Sequence, residues 1–464
     1  MAENHEAKDD DYVDEAVPLS ERRGPLTMGL LWITMVTIFP SVLIGFQWYK
    51  EGLTLLQVIG CSVLSCLILL SYSIPATQLG AKTGLGYAKL SRSVFGAMGS
   101  RLIAINLIWL FVLAYGLTAL LMGETLVSLF KIALPLSTIT AITAVLMAFN
   151  NFFGFKGVAN FARFVAAPAL IAWVGYTFVK ALTHCPTEVL TQTPHVPFSI
   201  ALTSVSSFVI GLAVWGNELD YWRFSRPQVK DSAIALIGSL AVGMLIFPIT
   251  GWMVAKITGV TEYSAATALM NQYSFGGIAL LPAIVLGASY FACNDSTLFG
   301  SLQAAETLKK MSHQKWALIL GILGAATGAW LSTGGTSKSI EAFCSLNCII
   351  MPTPTVIMMS EWFLQSKVFK DYDNMASFGL SAKSTAPLFK MSACIALTCG
   401  FAVGVLTSGL IPAFEFFHVG ISSLQAWMAA LVTYVPLRLI EYKRERSHFV
   451  DAIENSAEIV LSKA

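Results

Sequence analysis

The residues that could do chemistry in this chain sit inside apolar runs. Ser206 to Arg226 reads SSFVIGLAVWGNELDYWRFSR. It opens as hydrocarbon-compatible sequence, then places Trp215, Gly216, Asn217, Glu218 and Asp220 where more hydrocarbon is expected. Lipid offers no partner to a carboxylate or a loose amide, so these groups must face protein or a wet cavity. Gly211 and Gly216 lower the cost of unwinding a helix there. Unwound backbone can hold a ligand, and a buried carboxylate beside it can carry a proton. The carboxylates within apolar runs are Glu124, Glu218, Asp220, Asp295 and Glu341. Glu218 leads as a proton carrier because it lies in the broken stretch, with Asp220 and Asp295 behind it. Glu124 and Glu341 read as structural, and Glu361 as solvated near an interface. All six histidines fall in tails, loops or helix ends, which argues against a histidine relay.

The elements that must position these groups follow from composition. The chain is 55% hydrophobic and 12% charged, against about 25% charged in a soluble domain. This is an all-α integral membrane protein. Basic residues are scattered over short loops rather than gathered on one face, so a nucleic-acid surface is excluded. The eight cysteines lie mostly within apolar runs and read as small buried hydrophobes. No metal-ligand cluster and no nucleophile–base pair is present, which leaves a membrane enzyme without support. No polar stripe of the kind that lines a pore is present either.

Apolar runs of crossing length occupy 26–48, 52–79, 99–130, 135–153, 159–181, 199–221, 232–256, 276–303, 315–334, 339–363, 386–412 and 416–440. If the acidic segment 1–24 is a disordered cytoplasmic tail and the twelve crossings alternate, outer positions hold only Lys50, Lys131, Lys180, Lys256 and Lys338. The other 24 of 29 basic residues then fall inside, as the positive-inside rule requires. Both termini are thereby expected in the cytoplasm. Trp48 and Tyr49 beside Lys50 read as interface anchors. Pro40 interrupts the first span by removing an amide donor, and its counterpart five spans later is the glycine-broken sixth. Paired breaks in two five-helix halves point to an inverted-repeat transporter with its site near mid-membrane. The expected organisation is a ten-helix core over 25–364, with halves at about 25–182 and 199–364. Two accessory helices over 365–440 and a cytoplasmic tail over 441–464 follow.

Four motifs occur in order: LGAKTGL at Leu79–Leu85, with Arg92 and Phe95-Gly96 after it; Asp220-Tyr221 with Arg223 and Arg226; LLPAIV at Leu280–Val285; and Asn294-Asp295. Together they resemble the nucleobase–cation symporter-1 family, most closely its bacterial cytosine-permease branch, over roughly Gly24 to Ile440. The resemblance implies a LeuT-type fold of two inverted five-helix repeats plus two C-terminal helices, in the inner cell membrane. It also implies import of a nucleobase or related nitrogenous heterocycle by alternating access, coupled to a proton or to sodium. Ser207 and Phe208 align with a family serine and stacking aromatic; Gly211 belongs to the break, and Trp215 competes for the stacking role. Asn294 matches an amide that contacts the base. The carbonyls of Met35 and Phe39, with Ser289 and Cys293, occupy the family's sodium site.

Two departures stand out. The family's third-helix tryptophan falls on Ala114, where Tyr115 or Trp109 is expected to compensate. The hydroxyl pair that serves sodium is Ala292-Cys293, a methyl and a thiol in place of hard oxygen donors. An amino acid or a vitamin therefore remains the alternative cargo, and Ala114 leaves room for a non-planar one.

Overall fold

The structure is a computed structural model that describes residues 15–37, 40–261, 263–370 and 387–461. The side chains of 200, 206–208, 263–264, 337–338 and 448–461 are outside that description. Each expected span coincides with one or more helices among the described residues. Helices α1 (Pro25–Val36) and α2 (Pro40–Lys50) share the first and turn by 48° at the proline. Next come α3 (Leu55–Thr83), α4 (Tyr87–Phe130), α5 (Leu136–Met147), α6 (Gly154–Phe161) and α7 (Ala167–His184). The run from Leu136 to His184 is 49 residues. At 1.5 Å per residue it is about 70 Å long, enough for two crossings of roughly 30 Å of hydrocarbon.

The sixth span is broken as its sequence requires. It runs through α8 (Phe198–Ser204), a π-helical turn over Val205–Ile210 and the short α9 (Gly211–Ala213). It then loses helical form over 214–217 and resumes as α10 (Glu218–Trp222). Gly216 has φ +76°, a left-handed conformation that favours glycine. The seventh span is α11 (Val229–Leu240) continued by α12 (Phe247–Thr258). After it come α13 (Tyr263–Phe275), α14 (Leu280–Leu308), α15 (His313–Leu331), α16 (Thr336–Ile350) and α17 (Pro352–Phe363). The accessory pair is α18 (Met391–Thr407) and α19 (Ser422–Leu461). Among the described residues six helices are long and apolar enough to cross a membrane, eight if each of two bent pairs counts as one span.

Helix α13 was not expected. It meets α14 at 118°, and its polar Asn271, Gln272 and Ser274 dilute any hydropathy signal. Of the acidic segment 1–24, residues 1–14 lie outside the described residues, and 15–24 are tied to the helices, with Val17 buried. Val17 donates to Gly84 O at 2.9 Å, and Arg22 donates to the carbonyls of Val17 and Ala81. Arg23 donates to Phe224 O at 2.6 Å and accepts from Arg226 N at 3.2 Å. The segment therefore straps the C-terminal ends of α3 and α10 to the start of α1.

Two side chains sit deeper than their sequence suggests. Trp48 is fully buried and its indole donates to Ser204 Oγ at 2.8 Å, so it joins two helices instead of anchoring at an interface. Glu361 is buried too. It accepts from Arg438 Nε at 3.1 Å and from Tyr434 OH at 2.7 Å, tying α17 to α19. Removing one member of a buried pair leaves an uncompensated charge, at a cost of about 3–5 kcal/mol. Arg438→Met should therefore lower the thermal unfolding midpoint in detergent markedly. The double variant Arg438→Met/Glu361→Gln should recover most of that loss.

Candidate functional site

The two breaks meet. Between them lies a cavity of about 50 Å³ lined by Met35 and Pro40 from the first break and by Leu212, Val214 and Trp215 from the sixth span. Phe111, Ala114 and Thr118 of α4, Cys293 and Thr297 of α14, and Phe343 and Asn347 of α16 complete most of the wall. Among the described residues, none that lines it carries a charge. The ring of Phe111 lies 5.8 Å from that of Trp215, tilted by 35°. By the measure in which one water takes roughly 10–15 Å³, the cavity holds a few waters, fewer than the heavy atoms of a pyrimidine. The two rings must separate to admit one.

The unwound backbone is clamped rather than free. Glu218 is completely buried. One of its oxygens accepts from the amides of Trp215 and Gly216, each at 3.1 Å, and the other from Tyr72 OH at 2.7 Å. Asn347 donates from one amide nitrogen to the carbonyls of Gly211 at 2.8 Å and Val214 at 2.9 Å. The Thr355 hydroxyl donates to the Gly216 carbonyl. These contacts replace the helical bonds that the break removes. Gly211 matters for approach: a Cβ there would run into the backbone of Cys344, so glycine lets α16 close onto the break.

The other carboxylates also serve as acceptors. Asp220 caps α4, taking the Tyr87 amide at 2.7 Å and the Asn217 side-chain amide at 3.1 Å; a negative charge suits a helix N-terminus. Asp295 accepts from Asn150 at 2.5 Å and Asn151 at 3.3 Å, holding the turn between α5 and α6. Neither lines the cavity.

Of the residues singled out from sequence, Met35, Trp215 and Cys293 line the cavity, whereas Gly211, Tyr115 and Asn294 stand behind it. Tyr115 fills the slot left by Gly324 and donates to Ala144 O at 2.5 Å. Asn294 donates to Tyr115 O at 3.1 Å, joining α14 to α4. Trp109 is partly exposed on the outer face of α4 and bonds Asn106. Ser289 directs its hydroxyl to Thr37 O at 3.4 Å, across the first break. Phe39 and the side chains of Ser207 and Phe208 lie outside the described residues.

Phe111 and Asn347, among other lining residues, were not singled out from the sequence. Phe111 sits one helical turn before Ala114 and so shares its face, a signal that 3.6-residue periodicity could have supplied. Asn347 had no such signal, because its role depends on carbonyls from another helix.

Interrupted first and sixth spans around a shared uncharged cavity are the layout of a known transporter group, and comparison with other proteins agrees. A family model described as permease for cytosine/purines, uracil, thiamine, allantoin matches residues 16–436. The chain belongs to this family. The permease is 24% identical over 426 residues to the cytosine permease of Escherichia coli strain K12, covering 88% of this chain and 91% of that one. Its fold is that of Mhp1, a nucleobase-cation-symport-1 family transporter solved closed with bromovinylhydantoin bound. The TM-score is 0.69 at 18% identity, with 92% and 95% of the two chains covered. A Na⁺-coupled sialic acid symporter shares the fold at TM-score 0.60 and 13% identity, covering 90% of each chain. The permease is thus a multi-pass, LeuT-type membrane transporter.

The clamp makes a prediction. Glu218→Ala strands two amides and a hydroxyl, each worth about 1–3 kcal/mol when buried without a partner. It should abolish uptake and lower the unfolding midpoint. Glu218→Gln keeps a carbonyl oxygen for the two amides and should retain most of the stability, as a thermal scan of the purified variants would show.

Proposed function

We propose that this permease imports an uncharged, planar nitrogenous heterocycle of the nucleobase type across the inner cell membrane, by alternating access and with both termini in the cytoplasm. The observation that carries this reading is the pair of rings, Phe111 and Trp215, flanking a cavity without charged groups between the two breaks. An amino acid would bring a carboxylate and an ammonium, and a charge taken out of water needs a partner that this lining lacks. The cavity thus favours a base over the amino-acid alternative. In this reading Phe111 takes the stacking role that Ala114 cannot, Trp215 supplies the opposing face, and Asn294 braces the wall.

Transport is driven by a cation gradient in this reading, as the symporter names of the structural neighbours suggest. A proton suits the residues better than sodium. Ala292 offers a methyl and Cys293 a thiol, and the Ser289 hydroxyl is turned to Thr37 O. Sodium prefers oxygen donors. Glu218, Asp220 and Asp295 are the carboxylates in reach of the core, and each is also a structural acceptor.

Uptake of labelled cytosine, uracil, adenine, hypoxanthine and allantoin into vesicles tests the reading, with sodium and pH gradients imposed separately. Accumulation of at least one of them driven by the pH gradient alone is expected. Accumulation driven by sodium alone would refute proton coupling, and no uptake of any base would refute the cargo. Phe111→Ala removes one ring face, worth roughly 1–3 kcal/mol of stacking. It should raise the apparent KM of the transported base about tenfold or more.

A further inference from the structure

The cavity wall carries one polar group whose orientation is forced. Carbonyl oxygens only accept, and Asn347 meets two of them, Gly211 O and Val214 O, at 2.8 and 2.9 Å. Its side-chain amide must therefore present NH₂ to the break and cannot flip. The Oδ1 atom then has no donor among the described residues, yet it is not sealed off, since the buried unpartnered atoms do not include it. Asn347 lines the cavity. The indole Nε1–H of Trp215, by contrast, is closed off from the cavity and has no partner among the described residues.

The geometry points to Asn347 as the specificity-determining residue of the permease, with Oδ1 accepting a hydrogen bond from an N–H of the cargo. The cargo is then a heterocycle that carries an N–H donor, and an analogue lacking that donor is rejected. The inference rests on the nucleobase reading above. It also couples recognition to shape, because the amide that reads the cargo is the one that holds the sixth span unwound. An acceptor fixed by two hydrogen bonds cannot turn to suit a cargo that offers only acceptors, which is how a buried polar group discriminates.

The test is binding of the full-length protein in detergent to matched pairs that differ by one donor. Cytosine against 2-hydroxypyrimidine and adenine against purine each delete an amino group without added bulk; N-methylated uracils and hypoxanthines remove ring N–H groups. For at least one pair, wild type should favour the donor-bearing compound by on the order of tenfold. In Asn347→Ala that ratio should fall to within about threefold, whatever the drop in overall affinity from a loosened break. Asn347→Val, which likewise removes the acceptor, should show the same collapse and serves if the alanine variant does not fold. A ratio unchanged in the variants, or a wild type indifferent to every donor deletion, overturns the assignment while leaving the cargo class standing. A wild type that binds none of these bases overturns both.

Discussion

The hydrocarbon interior supplies no water, so each backbone group that a broken helix releases must find its partner within the protein. That constraint organises the centre of this permease. Opening the sixth span over 214–217 frees amides and carbonyls. Glu218 takes two of the amides, Asn347 takes two carbonyls, and Thr355 takes another. The partners come from the span itself and from the tenth, with Tyr72 of the second securing the carboxylate. A break that looks like a weak point is thus cross-braced by three spans. What is left for a ligand is a set of ring faces and a few polar atoms.

The same logic explains the other buried carboxylates. Asp220 ends the loop ahead of α4 by capping its first amide. Asp295 holds the turn between α5 and α6 through two asparagines. Glu361 draws the accessory helix α19 against α17 through Arg438 and Tyr434. Each acid sits where the helical ladder is interrupted or where two spans must be tied. A transporter needs stiff bodies that rock about a site, and acceptors with several donors supply stiffness where apolar packing in lipid supplies little.

The aromatic pair at the cavity comes from helix faces rather than from neighbouring sequence positions. Alanine at 114 leaves space on the third span, and the ring that meets Trp215 arrives from Phe111, one turn away on the same face. Tyr115, the nearer aromatic by number, points to α5 and is committed to the Ala144 carbonyl. Position along a helix, counted in turns rather than residues, decides which side chain reaches the centre.

Membrane class, the helical spans and the sites of both interruptions were legible in the sequence, because each depends on the chemistry of a short local stretch. A run of about twenty apolar residues has one stable form in lipid, and Pro40 and Gly216 weaken helices wherever they stand. The ordered strap at residues 15–24, helix α13 and the roles of the individual polar groups were not legible. Charge alone does not show that Arg22 meets the Ala81 carbonyl, and a carboxylate in a span reads alike whether it carries a proton or clamps a backbone. Only tertiary structure decided that Glu218 faces its own amides and that Asn347 faces the sixth span. The partners of a buried polar group are set by how helices far apart in sequence are rotated and brought together.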